Sequence, residues 1–533
     1  MSDGVAAGQR APGHAGPEAG SAVELGGEWE PSRVLVLVGL VFAFLLLELP
    51  FLTEAYHITV DEPWYSQTGH SFAMGRGIHN DVIGSGGGDM FFLYAVFLGV
   101  PFKIFGTTFY VGRFVSVFFG VVSIAGIVCV LYRMGLRWRE VSLCTLAVIV
   151  SNLSYLTFRA IRPEAAITAF TVCSTFFLLD ALRSKSSRSA AIAGLLAAVG
   201  LMCHPNMVVI IAVAGLLLGI DAIRHRAFGP VLVYGATAAL GGIAVLVFLH
   251  FVFVEGLAPT ISRMLTRTGA SALGGGDGPG LLGASIANAQ DFFGRAIVGG
   301  RRGLIVAAEM GVLVWGVVSC KRLASNVLLP LLAAGFLALG FVVLQPFSLR
   351  SFTAVEWMIF ATFGLLISDL QRRGGGWRMW AAQGLLALIV VNNLAGDLYL
   401  IRRDYGAVRY SELAERISEV VPSGSVVLSH QLLWFPLQDS TVYNEYSRSR
   451  LLEPDSLDAL IESGDVDYVV LASEETFATM MGGALGDNTL GEGFIRYWNS
   501  VRAHAEVHGE RVETIEAKGY GDFTIWRTGR APP

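Results

Sequence analysis

The residues best suited to chemistry are a few ionisable side chains at or near the ends of long apolar runs: Asp61, Glu62, Arg113, Arg159, Arg162, Glu164, His204 and Arg350. Asp61 and Glu62 stand in the stretch Thr59-Val60-Asp61-Glu62-Pro63-Trp64-Tyr65. Two adjacent carboxylates suit base catalysis, one taking a proton from a hydroxyl while the other orients the nucleophile or holds a cation. Arginine is the side chain best shaped to grip a phosphate bidentately. Arg113 lies one turn inside an apolar run, Arg162 and Glu164 flank Pro163, a helix-start signal, and Arg350 opens a late run with Glu356 two turns deeper. Each has a plainer reading: a solvated acidic dipeptide, a snorkelling arginine, an ion pair between neighbours, a histidine that only hydrogen-bonds. Taken together, one base and several arginines are what a reaction at a lipid phosphate needs, because preorganised charge is usually the largest electrostatic contribution to such a step.

These side chains need a scaffold, and the composition names it. The 533-residue chain is 53% hydrophobic and only 15% charged, with a mean hydropathy of +0.57, whereas soluble domains carry about 25% charged residues. A polytopic helical membrane bundle is expected. Spans are placed at 34–53, 109–131, 141–158, 163–182, 189–203, 205–222, 229–254, 302–319, 325–345, 352–370 and 379–400. The apolar segment 90–105, interrupted by Pro101 and Lys103, is arbitrated by the positive-inside rule. If it lies flat as an interfacial helix, the clusters Arg133/Arg137/Arg139, Arg183/Lys185/Arg188, Arg224/Arg226, Lys321/Arg322 and Arg372/Arg373/Arg378 share one face. Eleven spans then put the N-terminus in the cytoplasm and the C-terminal tail on the opposite face. The residues named at the outset fall on that outer face or inside span ends, where ionisable groups are costly and functional by default.

Three units are expected: a disordered cytoplasmic tail over 1–32, a transmembrane catalytic unit over 33–402 and a small periplasmic α/β domain over 403–533. From Asp404 onward there are 21 acidic and 10 basic residues, against 22 and 28 before it, so the tail is acidic and the body basic. Ser411 to Val420 and Leu457 to Ile461 read as helices, Ser425 to Leu428 and Val466 to Leu471 as strands, an alternation that favours α/β. No polybasic surface points to nucleic acid. The five cysteines all fall in apolar runs and give no disulfide framework or zinc pattern. The glycine-rich loop 255–301 lacks the Gly-Lys-Ser/Thr of a nucleotide loop and reads as an acceptor-side lid.

The order and spacing of the acidic pair after the first span, the arginine opening the second, Arg162-Pro163-Glu164 opening the fourth and Arg350 opening a late one resemble the GT-C superfamily of membrane glycosyltransferases. The likeness covers about 30 to 400 and is greatest to the bacterial branch related to protein O-mannosyltransferases and the lipid A aminoarabinose transferase. The resemblance implies inverting transfer of a monosaccharide from a polyprenyl-phosphate carrier to an acceptor hydroxyl on the outer face of the bacterial inner membrane. It implies Asp61 as general base with Glu62 as its partner, and Arg113, Arg162, Glu164 and Arg350 at the donor phosphate or sugar, where His204, read from the residues alone, is a further candidate. Where many relatives carry a Lys- or His-Pro-Pro-Leu-like run, this chain has Gly84-Ser85-Gly86-Gly87-Gly88-Asp89-Met90. Asp89 stands in as an acidic group, with Arg159, on the acceptor side.

The partners expected are a polyprenyl-phosphate sugar donor, a glycan, lipid or protein acceptor, and membrane lipids, with no nucleic acid. Asp61 and Glu62 could hold a divalent cation, although no ligand set at metal-binding spacing accompanies them. The rival readings are a transporter or flippase for a lipid-linked sugar, which would ordinarily show paired repeats or broken helices, and a ligase or polymerase of glycan chains centred on His204.

Overall fold

A computed structural model describes residues 30–53, 61–78, 92–252, 301–319, 328–343, 349–374, 376–404, 410–443, 465–473, 489–517 and 520–528, with a few positions between 283 and 290. Asp89, most of the loop 255–301 and the helix expected over Leu457 to Ile461 lie outside the described residues. The bundle runs α1 (Pro31–Glu48), α2 (Asp61–Ala73), α3 (Phe92–Phe105), α4 (Phe109–Arg133), α5 (Trp138–Ile149), α6 (Asn152–Arg159), α7 (Pro163–Ser184), α8 (Ser187–Cys203), α9 (Met207–His225), α10 (Gly229–Val252), α11 (Arg301–Ser319), α12 (Leu328–Val343), α13 (Leu349–Arg372) and α14 (Gly376–Asp404).

A helix or helix pair stands at each of the eleven apolar runs. Among the described residues six helices, α1, α4, α7, α9, α13 and α14, are by length and apolarity able to cross a bilayer, and α5 with α6 makes a seventh if that pair is one span. The run 141–158 is not the straight helix expected, because α5 and α6 meet at 61°. The cause is the polar pair at the joint. The Ser151 hydroxyl accepts from Leu153 N at 3.2 Å to cap α6 and donates to the Glu356 carboxylate at 2.6 Å, and Asn152 donates to Asn393 O at 3.0 Å. Those bonds fasten the bend to α13 and α14.

Small residues let the helices close up. A Cβ at Gly194 would stand 2.1 Å from Thr237 Oγ1 and 2.7 Å from Tyr234 O, so α8 and α10 touch backbone to side chain. One at Gly112 would meet Ile161 Cδ1 at 2.5 Å, which brings α4 against the link between α6 and α7. The α3 helix exists as expected over 90–105 and continues through Pro101. It packs its buried Tyr94, Leu98 and Phe102 inward, with Gly69 of α2 close against Leu98.

The tail forms α15 (Tyr410–Val420), β1 (Val426–Ser429), β2 (Thr441–Tyr443), β3 (Tyr468–Ala472), α16 (Thr489–His508), β4 (Glu510–Ala517) and β5 (Gly521–Arg527). The sheet order is β2-β1-β3-β5-β4, with β1 parallel to β2 and β3, and β5 antiparallel to both β3 and β4. Tyr410, Leu413 and Ile417 are the buried face of α15, at the helical spacing the sequence shows.

Candidate active site

Three helix ends and the segment after α1 build the site. The C-terminal residue of α6, Arg159, is fully buried and closes the end of α1. It pairs with Glu48 at 3.1 Å, donates to the carbonyls of Leu47 (2.7 Å), Pro50 (2.8 Å) and Phe51 (3.1 Å), and lies 4.4 Å over the Tyr155 ring. A cation that satisfies the last carbonyls of a helix also complements its dipole. The segment leaving α1 is thereby fixed.

Arg113, one turn into α4, holds the next stretch. Its Nη1 donates to Leu52 O at 2.7 Å, while Nε and Nη2 each donate to Glu62 at 3.0 Å, and its guanidinium stacks 4.1 Å from the Phe109 ring. Glu62 also accepts from Ile161 N at 3.0 Å. Neither side chain of this pair has any exposed surface. The fork-on-carboxylate geometry is the strong form of the interaction, and here it consumes the arginine. Arg113, expected to contact a donor phosphate, is instead turned inward onto Glu62.

Asp61 differs from its neighbour. Its side chain is 46% exposed and pairs with Arg162, which is 14% exposed and also donates to Glu164 at 2.7 Å. Arg162 is the N-cap of α7 and Pro163 its first residue, so the turn that starts the helix also aims the guanidinium back at α2. His204 caps the C-terminus of α8 and accepts from Asn206 N at 3.1 Å through Nδ1. Desolvation pushes its imidazole down to about 4, against an opposing pull from Glu164 and with a smaller push from Arg162, so His204 is neutral near pH 7 and adjoins that pair.

The structure therefore brings together Asp61, Glu62, Arg113, Arg162, Glu164 and His204, with Arg159 behind them. Arg350 lies in the first turn of α13. Among the described residues no three His, Cys, Asp or Glu side chains converge as metal ligands. Both carboxylates of the acidic pair are held by guanidinium groups, Glu62 by Arg113 and Asp61 by Arg162.

Several site residues escape the sequence reading. The partner of Arg159 is Glu48, a lone carboxylate inside the first apolar run, which the cost of intramembrane charge should have flagged. The α2 helix is another: His70 from it bonds Thr107 Oγ1 at 2.9 Å and meets the tail's Trp434 edge-on at 5.6 Å. Phe109, under Arg113, packs at 5.2 Å from Tyr410 and 5.6 Å from Phe435, and the Tyr410 hydroxyl donates to Leu432 O at 2.6 Å. The tail thus sits on α2 and the start of α4, directly beside the acidic pair.

Residues 91–251 match the family model for dolichyl-phosphate-mannose-protein mannosyltransferases. Among solved structures, ArnT from Cupriavidus metallidurans bound to undecaprenyl phosphate is similar with a TM-score of 0.57 and 12% identity, over 94% of this chain and 99% of that one. The same protein in its apo state gives a TM-score of 0.58 and 11% identity, over 93% and 98%. No curated protein matches the sequence. The resemblance read from the motifs is borne out in fold: this is an ArnT-like polytopic membrane protein, with residues 91–251 similar to the mannosyltransferase family.

Proposed function

We propose that the protein transfers a monosaccharide, with inversion, from a polyprenyl-phosphate carrier to an acceptor hydroxyl on the outer face of the bacterial inner membrane, in a cavity between the bundle and a periplasmic tail. The observation that carries this reading is the contrast within the acidic pair. Glu62 is buried and saturated by Arg113, so it serves as a fixed anchor, whereas Asp61 is half exposed and pairs with Arg162, a guanidinium shared with Glu164. A carboxylate presented on a rigid helix start, next to a guanidinium, has the parts for base catalysis beside an anionic leaving group.

In the proposed step the acceptor oxygen attacks the anomeric carbon, Asp61 takes its proton, and the bond from that carbon to the phosphate oxygen breaks with its electron pair on the departing polyprenyl phosphate. Arg162 neutralises that phosphate, with Arg350 at the start of α13 as a second cation. The two roles of Arg162 are coupled. A phosphate competes with Asp61 for the guanidinium, so donor binding itself releases the base, while Glu164 keeps the arginine in place. Arg113 and Arg159, also read from the sequence as substrate contacts, are assigned here to holding the segment between α1 and α2. Neutral His204 is placed to hydrogen-bond a sugar hydroxyl, and Asp89 stays an acceptor-side candidate.

The likeness to a structure that holds undecaprenyl phosphate supports a carrier of that class. Transfer is tested in proteoliposomes with a radiolabelled polyprenyl-phosphate sugar and a candidate acceptor: one polyprenyl phosphate released per sugar moved, with the anomeric configuration inverted in the product. Movement of intact donor across the bilayer with no bond cleavage would instead identify a flippase.

A further inference from the structure

We propose that a cleft at the end of the bundle remote from the acidic pair binds one anionic glycerophospholipid, its acyl chain in the cleft and its phosphate on Arg378. The end is fixed by packing. Gly364 of α13 lies against Leu136, in the turn after α4, since a Cβ there would meet Leu136 Cδ2 at 3.1 Å. Arg113 is at the other end of that same α4 helix, whose 25 residues span roughly 37 Å.

The cleft has a volume of about 490 Å³ between α11, α13 and α14, and its wall is almost wholly apolar, with Gly311, Phe363 and Leu385 inside and Trp315, Trp377 and Arg378 toward the end. That volume falls within the roughly 300–1,000 Å³ of small-molecule sites. Trp377 and Arg378 are in the first turn of α14, and Leu385 is two turns deeper. From the end inward the order is exposed tryptophan and arginine, then hydrocarbon, which is the order of a phospholipid from headgroup to chain. Tryptophan at this level is the usual mark of a membrane interface.

Charge decides which lipid. The Arg378 guanidinium lies 5.8 Å over the Trp377 ring and pairs with no carboxylate among the described residues, whereas nearby Arg373 is taken by Asp369 at 2.6 Å. The start of α14 adds the partial positive charge of a helix N-terminus. A zwitterionic headgroup would bring its own cation to this place. An anionic one fits without repulsion.

The test is native mass spectrometry of the delipidated full chain titrated with phosphatidylglycerol or phosphatidylcholine, with glycerol 3-phosphate as a headgroup-only competitor. The expected result is about a fivefold preference for phosphatidylglycerol, the value of one basic residue at a lipid surface. That preference disappears in Arg378→Gln and survives in Arg378→Lys. A Cβ built at Gly311 meets nothing within 4 Å, so Gly311→Leu starts its side chain into open space at the cleft and weakens both lipids. Equal affinity for the two lipids, a preference that survives Arg378→Gln, binding untouched by Gly311→Leu, or full displacement by glycerol 3-phosphate would each overturn the proposal. None of these readouts depends on the transferase reaction.

Discussion

Asp61 and Glu62 are one bond apart in sequence and opposite in circumstance, and the difference sets two predictions. Removing one partner of a desolvated ion pair leaves the other charge buried, at a cost of about 3–5 kcal/mol. Glu62→Gln should therefore lower the melting temperature in detergent markedly, while Asp61→Asn, which loses a half-exposed pair worth at most about 1 kcal/mol, should barely move it. The reverse ranking would contradict the division of roles. Arg162→Gln should reduce turnover about 10²-fold, as for loss of one charge-stabilising donor. Unchanged turnover in that variant would remove Arg162 from the phosphate. That several of these charged side chains come together was legible in the sequence, although Glu48 was not. What they do was less so, because the burial of Arg113 depends on Leu52 O and on a carboxylate 51 positions away. A linear reading sees an arginine at a span end and assigns it to a ligand.

At the scale of elements, strong periodicity was legible and weak periodicity was not. The amphipathic α15 and the buried strands β1 and β3 stand where their patterns placed them. The α2 helix has the sequence Asp-Glu-Pro-Trp-Tyr-Ser-Gln-Thr-Gly-His-Ser-Phe-Ala, with no apolar stripe, and owes its conformation to packing on α3. Likewise the pairing of β5 with β3, which brings together residues more than fifty positions apart, has no local signal. The tail also carries a pH prediction. His430 is buried, caps the turn at Gln431–Leu433 by accepting from Leu432 N at 3.1 Å, and is pushed down to about 4 by desolvation. The unfolded chain takes up a proton near pH 6.5 that the folded chain refuses until about pH 4, so stability falls as pH falls through that window and levels off below it. The loss at the acid end is roughly 3 kcal/mol. His430→Asn, which keeps a capping acceptor but cannot titrate there, should flatten the dependence measured by thermal melts from pH 7.5 to 4. An unchanged slope would assign it to other groups.

At the scale of the whole molecule, scarcity of charge made the sequence readable: with so few ionisable residues in the body, the basic clusters set the expected topology, and Asp61, Glu62, Arg113, Arg162 and Glu164 stand together apart from them. The expected sidedness gives a direct check. Ser411→Cys, exposed on α15, should react with an impermeant thiol reagent in intact spheroplasts, and Ser187→Cys, exposed at the start of α8, only after permeabilisation. Labelling of both without permeabilisation would refute the eleven-span topology. The bend at Ser151 and the seat of the tail on Phe109 and His70 were not legible, since both rest on contacts between distant segments. They matter because they decide where the acidic pair points. The most direct test of that arrangement is single-turnover transfer by Asp61→Asn, measured beside its affinity for the polyprenyl-phosphate sugar. Loss of a general base should slow transfer by about 10²–10⁴-fold while donor affinity stays within a few fold of wild type. Transfer at the wild-type rate would contradict Asp61 as the base and with it the proposed site.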